Sequence, residues 1–147
     1  MNLFNNMATY KISVTFILAL ATLFTAPSCS RKIQFETSTV VPAARGTVKV
    51  KSDDNKNNAV KIELINLAEP ERLDPPRQMY MVWMTTDQGS TKNLGQIKTS
   101  THTFSKTLKA SFEAVTTFKP TKIFITAEDN ANVETPGWPV VLTTGKF

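Results

Sequence analysis

From Thr47 onward the chain alternates apolar and polar positions with a period of two, the signature of half-buried strands rather than helices. Val48 and Val50 point one way, and Thr47, Lys49 and Lys51 the other. The cluster Asp53-Asp54-Asn55-Lys56-Asn57-Asn58 predicts a turn, after which Val60, Ile62 and Leu64 alternate with Lys61 and Glu63. These two stretches therefore predict a hairpin. Residues 68–78 (AEPERLDPPRQ) hold three prolines, which excludes a central strand and predicts an exposed crossover between sheets.

Residues 79–86 (MYMVWMTT) are apolar on both faces and predict the buried central strand. Alternation puts Met79, Met81 and Trp83 on one face and Tyr80, Val82 and Met84 on the other. Asp87 to Ser90 predicts a turn, and Leu94 to Ile97 a short strand. Phe104, Leu108, Ala110 and Phe112 share one parity across a strand interrupted by Lys106. Lys122 to Glu128 turns Ile123, Ile125 and Ala127 inward, and Val140 to Thr143 closes the domain. Only 112–118 has room for a helical turn. About seven short strands with turn signals between them predict an all-β fold, an antiparallel β-sandwich of immunoglobulin/fibronectin-like type.

The first residues follow a different pattern. Residues 12–24 (ISVTFILALATLF) are mostly apolar, follow Lys11 and precede the small-residue stretch Thr25-Ala26-Pro27-Ser28. That is signal-peptide order. A thirteen-residue run rises only about 20 Å as a helix against a hydrocarbon core of about 30 Å, so a permanent membrane span is disfavoured. Met7 offers a second start, closer to Lys11. Ala26 and Ser28 suit ordinary signal peptidase, and Ala26-Pro27-Ser28-Cys29 also resembles a bacterial lipobox. In that reading Cys29 carries a diacylglyceryl thioether, and two or three chains anchor stably where one does not. The chain then divides into a signal peptide (1–28), a lipid-anchored tether (29–44) and the sandwich (45–147). No acidic residue directly follows Cys29, which favours a lipid anchor facing the periplasm.

Charge narrows the function classes. Seventeen basic and twelve acidic residues leave a mild excess, and one of the cations, Lys11, sits in the leader. Lys49, Lys51, Lys61, Lys106 and Lys109 are spread singly along predicted strands, with no basic run of the kind that binds nucleic acid. A single cysteine excludes an internal disulfide, so apolar burial must hold the core.

The sequence order also points to a family. A hairpin is followed by Met79-Tyr80-Met81-Val82-Trp83-Met84, Asn93-Leu94-Gly95, Ile125-Thr126-Ala127-Glu128 and Thr135-Pro136-Gly137. Over residues 45–147 this resembles the extracytoplasmic C-terminal domain of anti-sigma-K-type factors. The resemblance implies a β-sandwich that senses, binds or scaffolds in the envelope. Members of that family usually carry a cytoplasmic sigma-binding domain and a transmembrane helix; here a lipid leader stands in their place, which speaks against direct sigma-factor inhibition.

Candidate chemistry is sparse. The only histidine, His102, reads as a surface residue at a strand start, and it cannot build a triad or a zinc site alone. Glu128 with Glu134, or Asp53 with Asp54, could pair as glycosidase carboxylates, but nothing marks their surroundings. No enzymatic activity and no cofactor are expected. Met79, Met81 and His102 offer soft ligands of a copper-binding kind, although methionines beside a tryptophan on a central strand are ordinary core filling. Of Tyr80 and Trp83, which face opposite ways, one is expected in the core and the other in an exposed ligand patch. Trp138, between Gly137 and Pro139, is the expected solvent-facing aromatic. With Pro136, Arg72, Arg77 and the loop from Pro70 to Pro76 it forms the candidate contact surface for an envelope protein partner. The competing reading is a carrier of a small molecule, glycan or copper.

Overall fold

The computed structural model describes residues 31–100 and 108–147; the leader, Cys29, His102, Phe104 and Lys106 lie outside the described residues. Nine strands are present among them: β1 (Arg31–Gln34), β2 (Arg45–Ser52), β3 (Asn58–Ile65), β4 (Met79–Thr86), β5 (Thr91–Gln96), β6 (Lys98–Ser100), β7 (Lys109–Thr116), β8 (Pro120–Glu128) and β9 (Val140–Thr143). They form an antiparallel β-sandwich, one sheet ordered β1-β2-β3-β7-β6 and the other β5-β4-β8-β9. Between β3 and β4 the chain crosses sheets through the proline-rich loop, which holds a single 3-10 turn at Pro70–Arg72. No helix of the described residues is long and apolar enough to cross a membrane.

Alternation explains the core. In β3 every second side chain is buried: Val60, Ile62 and Leu64 inward, Lys61 and Glu63 outward. From the facing sheet Tyr80, Val82 and Met84 of β4, Ile123, Ile125 and Ala127 of β8, and Val141 and Leu142 complete the layer between the sheets. Each fully buried Val, Leu or Ile contributes about 1.5–3 kcal/mol relative to exposure. The β2–β3 turn is closed by the Asp53 carboxylate, which accepts from the backbone N–H groups of Asn55 and Asn57 and from the Asn57 amide. Those Asn57 bonds come first in holding the Asp53 carboxyl below its usual range.

Three sequence-based expectations are corrected. Residues 29–44 are expected as a tether; within the described part of that stretch Arg31–Gln34 instead pairs with β2, Arg31 opposite Val50 and Gln34 opposite Thr47. From Phe35 to Ala44 the chain caps the core: Phe35, Val41 and Ala44 are buried. The Ser38 hydroxyl donates to the Val141 carbonyl and accepts from the Val40 and Val41 N–H groups. A polar composition hid this segment because only three of its residues, Phe35, Val41 and Ala44, supply the buried apolar contacts. Nine strands replace about seven, β1 and the three-residue β6 being too short to show periodicity. The stretch 112–118 holds no helical turn, since β7 continues to Thr116.

Two substitutions test this packing. Phe35→Ala is expected to cost about 3 kcal/mol in urea unfolding, as for other buried aromatics; a loss below about 0.5 kcal/mol would return residues 31–44 to the role of a spacer. A Cβ at Gly46 would overlap Leu64 Cδ2 and stand 2.6 Å from the Glu63 carbonyl oxygen. Gly46→Ala is therefore expected to cost about 1–3 kcal/mol by overpacking the β2–β3 pair, read in the same titration.

Candidate functional site

Strand direction gives the sandwich two distinct poles. Loops 53–57, 87–90 and 117–119 cluster at the pole where β1 begins, around a hollow of about 510 Å³ that Phe147 also lines. Loops 36–44, 66–78 and 129–139 cluster at the opposite pole. There Thr39 to Ala43, Arg72 to Pro75 and Trp138-Pro139 line a groove of about 550 Å³. Trp138 stands at its rim with 76 % of its surface exposed. The groove is lined on three sides by proline-bearing loops, Pro42, Pro75 and Pro139 among them, so its walls are short of backbone donors. Arg72 and Asp74 supply the charges at its edge, with Arg72 Nε 3.0 Å from the Glu69 carboxylate.

A buried polar chain holds the Trp138 loop in place. On the outer face of β4 the Trp83 indole N–H donates to the Thr126 hydroxyl at 2.8 Å, and that hydroxyl donates onward to Glu128 Oε1. The same Glu128 oxygen accepts the Gly137 N–H at 2.8 Å. A Cβ at position 137 would come within 2.5 Å of Glu128 Oε2, so only glycine brings the loop so close to this carboxylate. Arg77 adds a second clasp: Nη1 lies 2.7 Å from Asp129 Oδ2, and Nη2 donates to the Trp138 carbonyl. Asn93 of β5 donates to the Val133 carbonyl. The loop thus covers Trp83, which is fully buried and stacked on Phe124 with ring centroids 6.4 Å apart.

Several candidate residues change role. Arg72 and Trp138 do meet at the groove, as the sequence implies. Arg77 is not a free contact residue; it ties the 66–78 loop to the 129–139 loop. Pro136 is exposed on the same loop but is not among the groove's lining residues. Tyr80 and Trp83 are both buried, against the expectation that one would be exposed, because the loop covers the second face of β4. Glu128, considered as half of a carboxylate pair, is a clamp for that loop rather than a partner of the exposed Glu134. Met81 is buried on the Trp83 face, Met79 is half-buried and His102 lies outside the described residues, so the soft-metal set is not assembled among them. The described residues hold no cluster of three His, Cys, Asp or Glu side chains placed for a metal.

Tyr80 supports the groove from beneath. Its hydroxyl donates to the carbonyl of Ala68, a groove residue, at 2.9 Å. Burial, and then the charge of Glu71, push this phenol well above its ordinary range. A phenol raised in the folded state stabilises the fold below the unfolded value of about 10, and that contribution is lost as pH rises toward the folded one.

Comparison with family models, with curated protein sequences and with solved structures gave no match at any of the three levels.

Thr126→Val keeps the shape and removes the central hydroxyl, leaving the Trp83 N–H without its acceptor. A loss of about 1–3 kcal/mol is expected in thermal unfolding; an unchanged midpoint would show that the chain does not hold the loop. Tyr80→Phe is expected to flatten the decline of stability that sets in above about pH 10, measured by denaturant titration at each pH.

Proposed function

We propose that the chain is a non-enzymatic envelope lipoprotein, anchored through Cys29 and facing the periplasm, whose sandwich acts as a protein-interaction or sensing module akin to the outer domain of anti-sigma-K-type factors. The observation that carries this reading is Trp138, a large aromatic left exposed beside a groove while a buried chain of hydrogen bonds fixes its loop. Exposed tryptophans on rigid supports are the residues that anchor protein contacts, because their area is buried at little entropic cost. The polarity of the fold agrees. Cys29 lies two residues before Arg31, at most about 7 Å of chain from the start of β1, so an anchor there is attached at the pole opposite Trp138 and leaves its groove uncovered.

A photocrosslinking residue placed at position 138 in the native envelope is expected to capture a discrete protein, and Trp138→Ala to remove that protein from pull-downs. If the set of co-purifying proteins is the same with and without Trp138, the interaction reading fails. Labelled palmitate is expected on the wild-type chain and not on Cys29→Ala; its absence from both would end the lipoprotein reading.

A further inference from the structure

The register of the five-stranded sheet does something to the lysines that their spacing along the chain does not reveal. Lys32 of β1 stands directly opposite Lys49 of β2, which stands opposite Lys61 of β3. Three ammonium groups therefore form one row across three adjacent strands on the outer face. Only at the end of the row does an acid appear, Glu113 of β7, 2.7 Å from Lys61 Nζ. The hydrogen bond to Glu113 and its charge raise the Lys61 pKa. Among the described residues Lys32 and Lys49 make no ion pair. The next row toward the β1-start pole adds Lys51, paired across Ala59 with Val115, which is 72 % exposed.

Like charges directly opposite one another destabilise a sheet, so this row costs stability, and among the described residues no ion pair neutralises two of its members. On β1, β2, β3 and β7 this face carries six cations, the four lysines with Arg45 and Lys109, against two acids, Glu63 and Glu113. Sixteen basic and twelve acidic residues follow residue 28. Between Lys49, Lys51, Lys61, Glu113 and Val115 lies a shallow hollow of about 480 Å³.

We propose that this outer face, centred on Lys32, Lys49, Lys51 and Lys61, docks on the anionic phospholipid headgroups of the membrane that holds the chain. The proposal rests on the lipoprotein reading for its membrane, and two features select that occupant. The row begins at Lys32, three residues after Cys29, so an anchored domain cannot swing this end of the sheet far from the bilayer. A flat row of evenly spaced cations with one exposed valine matches a continuous anionic plane with an apolar layer beneath it. At the adjoining pole Phe118, with Lys92 Nζ 5.2 Å from its ring centre, extends the same mixture of cation and apolar side chain. With this face down, the Trp138 groove opens along the membrane toward neighbouring envelope proteins rather than straight outward.

The test is flotation of the purified full-length chain with vesicles of phosphatidylcholine alone and with about one third phosphatidylglycerol. An acyl group or an uncleaved leader binds both kinds of vesicle, so the ratio between them isolates the lysine face. Each lysine near such a surface contributes about fivefold to binding. The wild type is expected to prefer the anionic vesicles by at least about tenfold at about 0.1 M salt and to lose the preference near 1 M, where the screening length falls to about 3 Å. Lys32→Gln/Lys49→Gln/Lys51→Gln, which leaves the Lys61–Glu113 pair intact, is expected to lose most of it. Equal partition of the wild type between the two vesicle types would overturn the proposal without any variant, and so would a folded triple variant with undiminished preference. Mass analysis of Cys29 in the same preparation keeps the two readings apart: a bare thiol with the preference retained removes the anchor and spares the face, and an acylated chain without preference does the reverse.

Discussion

The antiparallel register of β1, β2, β3 and β7 is the constraint from which the surface follows. A strand has only two faces, and a one-residue slip would exchange them. Burying Val48, Val60, Ile62, Leu64 and Ala110 against the second sheet leaves Lys32, Lys49, Lys51 and Lys61 no other side to occupy. Without a disulfide, apolar burial between the sheets outweighs the repulsion among the lysines, and the charge pattern of the outer face is the consequence.

The second sheet solves a different problem. β4 lies between β5 and β8 and is apolar on both faces, so one face packs in the core and the other needs a cover. The 129–139 loop is that cover, and its attachment is polar: Trp83 to Thr126 to Glu128 to the Gly137 N–H, with Arg77 clasping Asp129 and the Trp138 carbonyl. Covering Trp83 fixes the backbone that carries Trp138. The exposed tryptophan is thus a product of burying the other one, and a rigid contact residue results without any added element.

The strands with strong alternation, β2 and β3, and those with sustained apolar character, β4 and β8, could be read directly from the residues. So could the crossover loop, because proline excludes a ladder position there. β1 could not: Arg31-Lys32-Ile33-Gln34 offers one apolar residue, and its pairing is decided by β2. Trp138 and Arg72 were visible as candidates, since a tryptophan between glycine and proline has no strand to bury it. The roles of Arg77 and Glu128 were not, because each depends on a partner about fifty or about nine residues away whose position only the fold supplies. The lysine row escaped for the same reason. Single lysines at alternate positions look like any solvated strand face until register sets them opposite one another.

The interstrand backbone contacts of the five-stranded sheet, read as nuclear Overhauser effects on the isotope-labelled chain, test this register most directly. The expected pattern pairs residue 32 with 49, 49 with 61 and 61 with 113. A pattern slipped by one residue, or a segment 31–34 with no contacts to β2, would contradict the arrangement that gathers the cations on one face.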